Sequence, residues 1–153
     1  MQRGDGLFGP LVIKPKFDMN YREYNFDLNE HIIIIDDWFD ETIVSKFAFH
    51  HHSTTDNNRP TAILINGKGV DLRKNSTIQT PRAVFTVQKG FRYRFRLINS
   101  GVSFCPIQFI VDNHNLTVIA SDGKLVEPQI YESITLHAGN FKVKIIYSNR
   151  KFV

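Results

Sequence analysis

At 153 residues, 42% of them hydrophobic and 22% charged, the chain is long enough for one domain with its own core and too short for two comfortable ones. These proportions exclude a disordered chain, and no apolar run is long enough to span a bilayer. The formal net charge of +4 is spread along the chain, so it forms no basic patch of the kind a nucleic-acid binder presents.

The N-terminal stretch "MQRGDGLFGP" lacks the apolar core of a signal peptide. Residues 1–28 differ in texture from the rest. "DGLFGPLVIKPK" carries Gly and Pro punctuation and one short strand, and the polar "DMNYREYNFDLNE" follows. We read 1–28 as the tail of a preceding domain plus a linker, and 29–153 as the domain proper. Short β-patterned runs then succeed one another: "HIIIIDDW" (31–38), "TAILIN" (61–66), "AVFTVQ" (83–88), "FRYRFRLIN" (91–99), "PIQFIV" (106–111), "LTVIAS" (116–121), "SITLH" (133–137) and "FKVKIIY" (141–147). Turn signals separate them, notably Asn66-Gly67, Lys89-Gly90, Ser100-Gly101 and Asp122-Gly123. Strict alternation in "FRYRFR" predicts one buried aromatic face and one wet basic face. A turn or so of helix is the most that "DETIVSKFAFHH" (40–51) suggests. Many short strands with almost no helical punctuation predict an all-β, antiparallel Greek-key β-sandwich.

Several constellations invite a chemical reading. His50, His51 and His52 are consecutive; on an extended segment His50 and His52 would share a side, a good way to begin a copper or zinc site. A site still needs a third ligand from elsewhere, so a solvated His-rich loop, at most a weak adventitious metal site, is the expectation. A small blue-copper centre is excluded by spacing: the first His after the single cysteine, Cys105, is His114, and both methionines lie far upstream. "KGFRYRFRL" (89–97) superficially matches an RNA-recognition strand, but Arg92 stands where a small residue is required and Arg96 where an aromatic should stack. Asp36 and Asp37 are expected to be solvated strand-end charges, pointing opposite ways and poorly suited to acid–base work. No nucleophile elbow or phosphate loop is present. Asn75 and Asn115 head glycosylation sequons, which tilts the reading toward a secreted chain. Cys105 has no partner in the sequence, so it is a free thiol or half of a bridge to a missing region.

In order and spacing, "DGLFGPLVI" (5–13), "IIIIDDW" (32–38), "ILINGKG" (63–69), "FTVQKGFRYRFRLINSG" (85–101), "CPIQFIVDNHNLTVIASDG" (105–123) and "VEP" (126–128) together resemble insect-type laccases, a branch of the multicopper oxidases. The resemblance runs from Asp5 to about Gly139. It implies the end of a first cupredoxin domain followed by most of a second, with copper bound in the parent and by none of this chain's residues. The parent would oxidise phenols or diphenols one electron at a time and reduce dioxygen to water. The middle domain, between flanking cupredoxin domains, would be catalytically silent by itself. It also implies a secreted protein, and a structural role for His114. After "LHAG", the stretch "NFKVKIIYSNRKFV" departs from the family pattern. A second reading is a secreted, silent sandwich derived from a laccase that binds a protein or glycan.

Overall fold

Four consecutive isoleucines make β1 (Ile32–Trp38) a strand buried on one face and half-buried on the other, because β-branched side chains suit a pleated surface. The computed structural model describes residues 2–14, 16–17, 23–52, 59–71, 73, 80–103, 106–139 and the backbone of 141–147. Beyond β1 the elements are α1 (Ile43–His52), β2 (Ala62–Ile65), β3 (Lys68–Asp71), β4 (Arg92–Asn99), β5 (Ile107–Ile110), β6 (Leu116–Ser121), β7 (Lys124–Tyr131), β8 (Ser133–Leu136) and β9 (Phe141–Tyr147).

They build two sheets. A seven-stranded sheet runs β3-β2-β1-β4-β9-β6-β7, and β5 pairs with β8 in a second. Every pairing is antiparallel except β1 with β4, where Ile33 lies opposite Leu97. The chain passes repeatedly between the sheets, which is the Greek-key sandwich expected. Ile33 and Ile35 of β1, Tyr93, Phe95 and Leu97 of β4, Leu116 and Val118 of β6, and Ile134 and Leu136 of β8 fill the space between the sheets. The alternation of "FRYRFR" therefore points Tyr93 and Phe95 inward as expected, whereas Phe91 stays exposed.

Two hairpins follow from their turns. Asn66 and Gly67 (φ 51° and 74°) close β2 on β3, and Asp122 and Gly123 (φ 47° and 81°) close β6 on β7. Both central residues of such a two-residue turn are left-handed, which Asn-Gly and Asp-Gly adopt at least cost. Asn66 also ties its hairpin to β1: its Oδ1 accepts from Ile34 N at 2.7 Å and its Nδ2 donates to Ile32 O at 2.8 Å.

Three expectations need correction. Residues 83–88 form no strand; they run extended, with Phe85 and Val87 packed on the core and Gln88 N donating to the Tyr93 hydroxyl at 2.8 Å. The helix is a full ten-residue α1. Its start is fixed by Asp5, whose carboxylate accepts from Ile43 N at 2.7 Å across 38 residues of sequence. Strands β3 and β7 were not anticipated, being four residues long and fully exposed, respectively. The divergent C-terminal stretch supplies β9, paired on one side with β4 and on the other with β6, so it lies inside the sheet.

Candidate functional site

The three histidines occupy the last turn of α1, and all three are exposed. This removes the geometry expected of an extended His-x-His pair. A helix turns about 100° per residue, so His50 and His52 point to nearly opposite sides. The His50 and His51 rings meet edge to face with centroids 5.5 Å apart, and His51 packs on Phe47, one turn back, at 4.4 Å. Among the described residues, no three His, Cys, Asp or Glu side chains are grouped to hold a metal ion.

The acidic pair was expected in solvent, and the structure buries it: Asp36 and Asp37 are 2% and 3% exposed. The cause is the segment after β4, which folds over the end of β1. Asp37 accepts from Val102 N at 2.8 Å and Ser103 N at 2.6 Å, satisfying two backbone donors at once. Gly101 fits closely beneath them: a Cβ there would stand 3.1 Å from the Asp37 carboxyl carbon, which would have to give by a few tenths of an ångström. Among the described residues Asp36 accepts from the Ser100 hydroxyl at 3.2 Å and is helped by the Asp37 backbone N–H, while its Oδ2 has no partner there. Burial, then the neighbouring Asp37 charge, pushes the Asp36 carboxyl up to about 6, against the pull of Ser100 and of Arg3.

The outer face of β4 is likewise covered. Arg94 and Arg96 are 8% and 5% exposed, because Tyr24–Asp27 runs alongside the strand. Phe26 forms a parallel bridge with Tyr93; Asn25 N donates to Arg92 O at 2.8 Å and Arg94 N to Phe26 O at 2.9 Å. Asp27 accepts from both ends of the Arg96 guanidinium and lies 3.6 Å from Arg94, which donates to the Tyr24 hydroxyl at 2.9 Å. Burial alone would raise the Asp27 pKa, but the Arg96 hydrogen bond and the Arg96, Arg94 and Lys14 charges together hold it below its usual value. The Arg-x-Arg alternation was the signal for this cluster: once covered, two guanidiniums demand a carboxylate. His31 is buried against Tyr93 and Phe95, with ring centroids 5.0 and 4.8 Å away. Burial lowers its pKa, opposed by a backbone contact at Thr86 and the Glu30 and Asp27 charges.

The remaining expected positions are dispersed. His114 Nδ1 donates to Asp112 O at 2.7 Å, a local turn contact. Asn115 is exposed beside the start of β6. Asn75 and Cys105 lie outside the described residues. The described residues thus assemble buried ion pairs rather than a ligand set, and the exposed imidazoles of α1, with no third ligand grouped beside them among the described residues, do not fit a copper centre.

The sequence pattern of the family described as "Multicopper oxidase" matches residues 29–145. A laccase from Thanatephorus cucumeris is 35% identical over 149 residues, covering 96% of this chain and 25% of that protein. One from Trametes villosa is 34% identical over 149 residues, covering 95% and 26%. The structure of a point mutant of the laccase from B. aclada superposes with a TM-score of 0.78 at 28% identity, over 98% of this chain and 27% of that one. These laccases are fungal. The chain spans about a quarter of the length of the curated relatives it matches. Its two sheets are accordingly a cupredoxin-like sandwich. With this match over most of its length, agreeing with a strand order that superposes on a laccase, the chain belongs to the multicopper oxidase family.

Proposed function

We propose that this chain is the non-copper-ligating middle domain of a laccase-like oxidase, preceded by the end of the first domain at residues 1–28. The whole enzyme would remove single electrons from phenols or diphenols and reduce dioxygen to water. This chain would contribute architecture and no ligand. The observation that carries the reading is the geometry of α1: the one His-rich segment ends a helix, exposed, with His50 and His52 on nearly opposite sides. The buried pairing of Asp27 with Arg94 and Arg96 supports it too, since it fastens the segment before the domain onto the central strand. Exposed apolar side chains at Leu7, Leu11, Ile13 and Phe17, and at Val44, Phe47 and Phe49 of α1, suit contact with flanking domains. No helix among the described residues is long and apolar enough to cross a membrane. A secreted, glycosylated parent fits with the exposed sequon at Asn115.

The test is copper stoichiometry. The chain, incubated with Cu(II) and dialysed against a chelator, is expected to retain no copper and to leave a diphenol unoxidised. Copper that survives dialysis and is lost in His50→Ala or His52→Ala would refute the assignment.

A further inference from the structure

Between the exposed strand β7 and β8 of the second sheet lies an open cleft of about 590 Å³, a size ordinary for small-molecule sites. A ladder irregularity opens it. While β6 advances from Val118 to Ala120, its partners on β7 step from Gln129 to Leu125, so β7 arches outward at Val126–Pro128. Bulges of this kind re-aim side chains and gather beside binding sites, and proline, having no N–H to contribute, is tolerated there.

The arch and the two-residue period of the strand turn Glu127, Gln129 and Tyr131 toward the cleft. Ser133 and Thr135 line the opposite wall, above an apolar floor of Val118 and Ile134. The polar groups suit one ligand chemistry. The one charged group among the described lining residues is Glu127, whose carboxylate disfavours an anion. Glu127 offers acceptors only; Gln129 offers an amide that both gives and accepts; the hydroxyls do either. Gln108 Nε2 donates to Ser133 Oγ at 3.0 Å, which occupies an acceptor position and leaves the Ser133 hydroxyl proton to point outward. The Tyr131 hydroxyl leans on Gln129 Oε1 at 3.4 Å, setting its half-exposed ring at the rim, where an apolar ring face can stack.

We propose that this cleft is a binding site for a neutral, hydroxyl-rich ligand of one or two sugar rings. The hydroxyls of such a ligand meet Glu127, Gln129, Ser133 and Thr135, and its C–H face lies on Tyr131. The site is separate from the copper reading and does not depend on it.

The test is titration of the ¹⁵N-labelled full chain with cellobiose, followed by NMR. Saturable shifts confined to β7, β8 and Ser121 are expected, with a dissociation constant on the order of 1 mM, typical of about 4 kcal/mol of binding. Tyr131→Ala and, independently, Thr135→Val should each weaken binding about tenfold, or about 1.4 kcal/mol, with the rest of the spectrum unchanged. No saturable shift, shifts elsewhere, or equal affinity in both variants would overturn the proposal. So would a response to choline in the absence of one to cellobiose, since that would mark a cation site at Glu127.

Discussion

Replacing Asp36 by Asn should stabilise the chain above pH 6 and cease to do so in acid. The Asp36 carboxyl titrates near 6 in the folded chain against an ordinary 3.8, a difference of roughly two units, or about 3 kcal/mol. The folded pKa is raised, so the folded state holds the proton more tightly than the unfolded one. That advantage is full below 3.8 and lost as pH rises through 6. Above 6 the fold carries an ionised carboxylate that is 2% exposed, beside the Asp37 charge and offset in part by the Ser100 hydroxyl, the Asp37 backbone N–H and Arg3. Asn removes the charge and keeps an acceptor for Ser100. Its new amide N–H group replaces Oδ2, which has no partner among the described residues, at a cost of about 1–3 kcal/mol. At pH 8 the two effects leave a net gain of up to about 2 kcal/mol. The amide cost does not depend on pH, so it cancels in the pH dependence. The variant-minus-native stability should therefore rise by about 3 kcal/mol between pH 4 and pH 8. Urea unfolding across that range measures it, followed by fluorescence of Trp38, the single tryptophan, two residues along the same strand. A difference that stays flat with pH would refute the argument that this carboxylate is buried charged at neutral pH.

His31 should act in the opposite sense. Its folded pKa is lowered, so the unfolded chain takes up the proton first, and stability falls as pH drops below the ordinary 6.5; His31→Leu, which keeps an apolar side chain against Tyr93 and Phe95, should flatten that decline in the same urea series. Asp27→Ala removes the carboxylate shared by two buried guanidiniums and should cost up to about 3–5 kcal/mol, seen as a lowered urea midpoint at unchanged m-value. Asn66→Ala loses both hydrogen bonds to β1 and a residue at ease with φ 51°. It should cost about 2–3 kcal/mol, with faster amide exchange at Ile34.

Much of the fold could be read along the chain, because local chemistry decides it. Asn66-Gly67 and Asp122-Gly123 specify hairpins by backbone conformation, and "FRYRFR" sets the inward face of β4 by period two. The errors arise where partners distant in sequence, or the lack of one, decide the outcome. β7 was missed because both of its faces are exposed, so no alternation distinguishes it. Residues 83–88 read as a strand because Phe85 and Val87 do point to the core; what they lack is a ladder partner, which no pattern reports. The histidine triplet reads as part of a solvated loop because "IVSKFAFHHH" is aromatic-rich and weakly helical by propensity, and Asp5, which accepts from the first helical N–H, lies 38 residues away.

The buried charges follow the same logic and link fold to role. Asp37 is satisfied by backbone donors 65 and 66 residues on, and Arg96 by a carboxylate 69 residues back. A charged side chain on a strand is read as solvent-facing unless something covers it, and here the covers are the segment leading into the domain and the segment leaving β4. Each cover is held by charge-assisted hydrogen bonds, stronger and more directional than apolar contact, so its register against the sheet is fixed as well as its presence. In the proposed role between two other domains, that property at the entry strand would count for more than extra core. The ion pairs of Asp27 with Arg94 and Arg96 are thus expected to matter most for where residues before 28 are aimed. Asp27→Asn, which keeps the shape and removes the charge, should loosen the 24–27 segment, read as faster amide exchange at Asn25 and Phe26, while the exchange of Leu97 and Leu116 in the core stays as it was; equal acceleration at all four would make the pair a general stabiliser and remove its positional role.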